Sequence, residues 1–341
     1  MSGNRALRGA LIALLLAAIG GCTLLRDVTT RLPGPRLYEK GAVLIGGLRD
    51  FERRIGYQET NNFHNLDNAT ESYPFCGYVS RLYLPYSYQD PGIQWIVVDS
   101  EAACREEAGE GADAYFGQSE AKGEIGTPVT TSMLAGSLVR FVYLVFHEDC
   151  HDQFELPFGI EEALCNVIAY NAMVEYAGEK DQVTALERVA MRRYAERESE
   201  RTLTAKAFYE QLEVLYARHR RKEISEQALL QERARIFGQA EKALEWVRGS
   251  LNNVGIANDM TYNRHFPYLE SVFIALGRDL GATVAFFRRV DALKPSRASV
   301  MKQHRLKSEK SVEFIRAYEE AVLDTIRKTL AEAGGGAAKD K

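Results

Sequence analysis

The stretch "SLVRFVYLVFHEDCHDQFELPFGIEEALCN", residues 137–166, decides the architecture. Its first half places Leu138, Val142, Val145 and Phe146 on one apolar face at helical spacing and runs directly into His147. "LPFG" is expected to end that helix through Pro157 and Gly159. A second helix, "IEEALCNVIAYNAMVEYAG", then closes at Gly178, a residue suited to a left-handed cap.

On the first helix, residues four apart share a face, so His147 and His151 can offer imidazole nitrogens to a single metal ion. Glu148 points about 100° away. That offset suits catalysis, because zinc keeps one coordination position for water and a carboxylate beside the ion can take the water's proton and pass it to a leaving amine. With six His in 341 residues, H-E-x-x-H is expected by chance on the order of 0.01 times. A third ligand must arrive after the reversal, and either Glu161 or Glu162 could be that ligand. From Glu162, "EALCN" puts Asn166 on the same face, able to accept the outer N–H of a ligand histidine. This spacing resembles thermolysin-like enzymes, whose ligand glutamate is followed by Ala and, four residues on, by a supporting aspartate. It favours Glu162 as ligand and leaves Glu161 as an acid at the helix N-terminus. Asp149, Asp152 and Glu155 read as background charge, and His64, His219 and His304 as surface histidines.

Outward from this segment, Arg5 and Arg8 precede an apolar run from Ala10 to Ile19 that stops at Gly20, Gly21 and Cys22. The run reads as an export signal, too short to span a bilayer comfortably. "IGGC" resembles the lipobox of bacterial lipoproteins, which implies cleavage before Cys22, lipidation of Cys22 and stable membrane attachment. Thr23 follows where lipoproteins kept at the inner membrane usually carry Asp, so the resemblance implies the outer membrane, facing the periplasm. The net charge of -4, with Lys and Arg interleaved with Glu, gives no electrostatic case for nucleic acid as a partner. Cys76, Cys104, Cys150 and Cys165 lack C-x-x-C spacing, so they read as buried thiols or as one or two disulfides rather than metal ligands.

The chain divides into a signal peptide (1–21), a linker with "RLPGPR" and a peripheral helix (22–68), a catalytic domain (69–300) and a C-terminal helix with a disordered tail (301–341). Within the domain, "IQWIVVD" reads as a strand and residues 101–117 as a helix with a turn into "ADAYFGQ". "GTPVTTSM" has the alternation of a short strand. Residues 179–248 are charged with helical period, which predicts solvated antiparallel helices, and a further helical block follows over about 259–290. The fold class is therefore mainly α with a small β-sheet.

The order "YPFCGYV", "ADAYFG", "VTTSML", an apolar helix entering H-E-x-x-H, then E-E-A-L resembles the putative-aminopeptidase family of bacterial lipoproteins, zinc peptidases that use Glu as third ligand. "LNNVGIANDMTYNRHFPYLESVF", residues 251–273, extends the likeness, which covers roughly residues 70–295. The resemblance implies a zincin-like (gluzincin) domain with added charged helices. It implies one Zn2+ held by His147, His151 and Glu162, and Glu148 as general base and acid. Tyr262 is the implied donor to the developing oxyanion, with His265 as a rival. "VTTSML" would be either an edge strand for a substrate peptide or a buried strand. "HEDCHD" and "IEEAL" depart from the family's usual residues around these ligands.

The expected function is thus a lipid-anchored, zinc-dependent peptidase, aminopeptidase-like, acting on peptide or protein substrates in the cell envelope. The alternative is a zinc-containing lipoprotein that binds a partner without catalysis.

Overall fold

The computed structural model describes residues 36–67, 73–119, 121, 126–179 and 183–336. The export signal and Cys22 lie outside the described residues. In chain order the elements begin with α1 (Arg36–Arg54), β1 (Leu66–Asp67), β2 (Tyr73–Ser80), β3 (Gln94–Ile96), α2 (Glu101–Ala108), β4 (Ala112–Ser119) and β5 (Val129–Thr130). Next come α3 (Thr131–Ala135), α4 (Leu138–His151), α5 (Phe158–Tyr176), α6 (Ala185–Arg220) and α7 (Glu226–Ala243). The chain closes with α8 (Asn253–Asn263), α9 (Phe266–Ala275), α10 (Leu280–Leu293), α11 (Arg297–His304) and α12 (Val312–Gly336). The mainly helical fold with a small sheet is as expected. No helix among the described residues is long and apolar enough to cross a membrane.

α4 and α5 form the centre. Ser137 caps α4 by accepting from Arg140 N, and the helix ends at His151. Pro157 stands at the start of α5, where its missing N–H costs nothing. Gly159 lies inside α5 rather than ending α4. Its role is spatial, since a Cβ there would stand 2.6 Å from Glu319 Oε1. Gly178 makes no left-handed cap either, for α5 ends at Ala177 with φ -62°. α5 is apolar on almost every side and correspondingly buried almost all round. It is tied to α4 by the Cys150–Cys165 disulfide.

α1 belongs to the core, contrary to its expected peripheral place. Leu44, Leu48, Phe51 and Ile55 recur at helical spacing and are buried. The Phe51 ring lies 5.4 Å from that of Phe146 on α4 and 5.8 Å from that of Tyr176 on α5. The helix passes through Gly46 and Gly47 unbroken.

The three-stranded antiparallel sheet has the order β3-β2-β4. Its two long strands, of eight residues each, are "YPFCGYVS" and "ADAYFGQS", the latter in place of the expected turn, while "IQWIVVD" contributes only the three residues of β3. The Cys76–Cys104 disulfide joins β2 to α2. β5 is two residues long, buried, and pairs in parallel with β1. "VTTSML" is therefore no edge of the main sheet, because Thr130 at once caps α3. α6 and α7 form the charged pair expected over 179–248, and their apolar sides enclose a second core with α8. Asn252 caps α8 by accepting from Val254 N and Gly255 N. Asn253 Nδ2 donates to Tyr83 O at 2.8 Å, so the Asn-Asn pair anchors α8 against the segment that follows β2.

Candidate metal centre

Because α4 delivers His147 and His151 four residues apart and α5 returns Glu162 against them, three donor atoms converge in the core. His147 Nε2 stands 3.1 Å from Glu162 Oε2, His151 Nε2 3.4 Å from His147 Nε2, and His151 Nε2 3.5 Å from Glu162 Oε2. Among the described residues this is the group of three whose ligand atoms could hold a metal ion. Donors bound at ~2.05 Å in a tetrahedron lie ~3.3 Å apart, and the three observed separations bracket that value.

The outer nitrogens are held in a matching way. Glu161 Oε1 lies 3.0 Å from His151 Nδ1, while its other oxygen accepts from Leu156 N at 2.8 Å. A carboxylate so placed keeps the proton on Nδ1 and turns the Nε2 lone pair inward. Tyr143 Oη donates to Asn166 Oδ1 at 2.7 Å, and its oxygen stands 3.4 Å from His147 Nδ1. Asn166 thus supports His147 through the Tyr143 hydroxyl rather than directly. Tyr143 went unnoticed in the sequence, although it lies one turn before His147 on the same face. Glu161 is not a mere acid at a helix end. Its neighbour Glu162 faces the two Nε2 atoms, so the geometry separates the two glutamates.

Glu162 is fully buried, and its Oε1 has no hydrogen-bond partner. Lone pairs from two imidazoles and a carboxylate, with one orphaned carboxylate oxygen, form an electron-rich pocket that a divalent cation satisfies. The donor set fits zinc. The same carboxylates favour positive charge at this point. Burial pulls His151 down, but the carboxylates of Glu162 and Glu161 outweigh it and hold the imidazole well above its usual range. Burial likewise pushes Glu162 up, and the His151 charge with the hydrogen bonds of both histidines brings it below the ordinary glutamate value.

Glu148 is buried beside this group on α4 and is not one of the three converging donors. Tyr262 of α8 is buried with its ring centroid 6.3 Å from that of His147, so a residue about a hundred positions away is brought to the site. His265 instead has its Nε2 2.9 Å from Glu319 Oε2, an oxygen that also accepts from Tyr86 Oη. The hydroxyl of Tyr88, whose ring packs on Phe158 at 5.9 Å, is buried without a partner. Burial and the Glu162 charge raise its pKa far beyond the ordinary phenol range.

Asp149 is another departure from the sequence reading. Facing away from the donors, it accepts from Thr60 Oγ1 at 2.5 Å and from Asn62 Nδ2 at 3.1 Å. Burial nevertheless pushes its carboxyl up to about 6. It fastens the loop after α1 to the back of α4. Asp152 and Glu155 are exposed, as are His64 and His304.

No curated protein and no solved structure gives a match to this chain. A family model does, described as "Putative aminopeptidase", over residues 66–305, from β1 to just beyond α11. That span takes in every residue of the converging group, and the chain belongs to this putative aminopeptidase family.

Proposed function

We propose that the chain is a zinc-dependent peptidase of the bacterial cell envelope, attached to the outer membrane through a lipidated Cys22 and facing the periplasm. The observation that carries the catalytic part is the convergence of His147 Nε2, His151 Nε2 and Glu162 Oε2 at the spacing of tetrahedral ligands, with the other oxygen of the same Glu162 carboxylate buried without a partner. Membership of the putative aminopeptidase family supports hydrolysis of peptide bonds. The lipobox-like "IGGC" supports attachment, and the two disulfides support an oxidising compartment.

Zinc held by these three residues would supply Lewis acidity toward the scissile carbonyl and the attacking water. Glu148 takes the proton of that water and returns it to the leaving amine. Tyr262, beside His147, donates to the developing oxyanion. Glu161 and the Tyr143–Asn166 pair hold the two imidazoles so that their inner nitrogens face the same point.

Cleavage of a mixed peptide library by the wild type and by Glu148→Gln tests this reading. The wild type should cleave, and the variant should keep its zinc while losing rate by about 10²- to 10⁴-fold. Zinc-loaded wild type with no cleavage, or full biological function in Glu148→Gln, would favour a non-catalytic zinc lipoprotein instead.

A further inference from the structure

The segment between β2 and β3 brings Tyr88 to the first turn of α5, where its ring packs on Phe158. Phe158 stands four residues before Glu162, so the two share a face of that helix. The backbone of Tyr88 is fixed on both sides: its N–H donates to Thr261 Oγ1 at 2.9 Å, and its carbonyl accepts from Trp95 Nε1 at 3.2 Å. Asp90 holds the turn that follows, accepting from Tyr86 N at 2.7 Å and from Gly92 N at 2.8 Å. Tyr88 is 4 % exposed, and its hydroxyl, on a backbone held this firmly, has no hydrogen-bond partner.

A buried hydroxyl without a partner is costly to keep, and a phenylalanine would fill the same space without that cost. An acceptor lies close by. Glu162 Oε1 is likewise buried and unpartnered, and after burial it is the Glu162 charge that holds the phenol protonated. The two orphaned atoms are thus neighbours that leave each other unbonded, a donor and an acceptor with room for a further group between them.

The opposite side of Glu162 is already in use. Asn166 follows Glu162 by one turn of α5, and there, with Tyr143, it supports the outer nitrogen of His147. Tyr262 belongs to that side: with Tyr143, Asn166 and Asp259 it lines a cavity of about 30 Å3 between α4, α5, α6 and α8. The orphan of that cavity is an acceptor, Asp259 Oδ2. The two tyrosines therefore flank Glu162 from opposite directions along α5, and the unengaged donor is Tyr88.

We propose that Tyr88 is a further catalytic residue of this centre, whose hydroxyl donates to the carbonyl oxygen of the scissile bond as negative charge gathers on it. The hydroxyl keeps its own proton throughout. Because it is already placed and desolvated, it meets that oxygen without reorganisation, and the bond strengthens as the charge develops. The proposal rests on the peptidase reading for the identity of the site and adds a second donor to Tyr262.

Calorimetric binding of two small ligands to zinc-loaded protein tests it without turnover. Acetohydroxamate presents a carbonyl oxygen beside an anionic one, whereas ethanethiol presents sulfur and no oxygen. Tyr88→Phe should weaken acetohydroxamate by about 10- to 100-fold and leave ethanethiol unchanged. Its zinc content should equal that of the wild type. Its melting temperature should be equal or higher, since the hydroxyl has no partner within the fold. Equal acetohydroxamate affinity in the two proteins overturns the role of Tyr88 and leaves the peptidase reading standing, whatever happens to the melting temperature. A wild type that takes up zinc but neither ligand overturns both. In peptide cleavage, Tyr88→Phe should lower kcat by about 10²- to 10³-fold with KM nearly unchanged; a loss confined to KM would contradict a donor to the reacting oxygen.

Discussion

The pair Glu161 and Glu162 shows how adjacent identical residues acquire different work from helix geometry alone. A rotation of about 100° per residue sends Glu162 toward the two inner imidazole nitrogens and Glu161 to the outer nitrogen of His151. Glu161→Ala should therefore weaken zinc binding by about 10- to 100-fold without abolishing it, as read by competition with a chelating dye; unchanged affinity would remove Glu161 from this role. Asp259 gives a second prediction, for stability in the substrate-free protein. Its carboxyl rises from 3.8 to about 6 on folding, so the unfolded chain gives up the proton first. The ionised form then costs stability that grows as pH rises from about 4 and is fully present above about 6, up to about 3 kcal/mol. Asp259→Asn should raise the melting temperature at pH 8 and leave it nearly unchanged at pH 4. A loss of stability at pH 8 would mean that the ionised carboxylate has a partner.

At the scale of elements, a covalent bond holds α4 and α5 in register beside the candidate site, since Cys150 adjoins His151 and Cys165 adjoins Asn166. Closing a loop of 15 residues stabilises a folded chain by ~3 kcal/mol in the chain-entropy account. The Cys150→Ala/Cys165→Ala variant should unfold at correspondingly lower denaturant concentration; an unshifted midpoint would show that the bond adds nothing beyond packing. Gly159 meets the Glu319 carboxylate so closely that Gly159→Ala should cost about 1–3 kcal/mol, measurable by urea denaturation. α4 and α5 were legible in the sequence because their apolar spacing and the break at Pro157 are local signals, whereas the left-handed cap expected at Gly178 does not form. The place of α1 was legible in principle, as Leu44, Leu48, Phe51 and Ile55 form a helical stripe, but its glycines suggested a weak peripheral helix. The sheet was the least legible element. In "YPFCGYVS" Pro and Gly mask the strand, whereas β-branched "IVVD" looks like one and is mostly loop.

Across the whole molecule, the candidate site joins a helical pair from the middle of the chain to α8, with α6 and α8 closing the small cavity beside it. His147, His151 and Glu162 could be picked out because H-E-x-x-H and the following E-x-x-x-N encode one face of each helix. Tyr262 came from family likeness, and the structure brings it to His147. Asp259 and Tyr88 carried no such signal, since nothing local marks a residue whose polar atom will be buried without a partner. The buried Glu162, with one carboxylate oxygen unpartnered and the other against two histidines, makes sense if a cation completes the group. Metal analysis of the purified chain after zinc loading and desalting tests that claim most directly. The account predicts one zinc per chain in the wild type and in Glu148→Gln, and almost none in Glu162→Ala or His151→Ala. A folded wild type that retains no zinc, or a Glu162→Ala variant that binds it as tightly as the wild type, would contradict it.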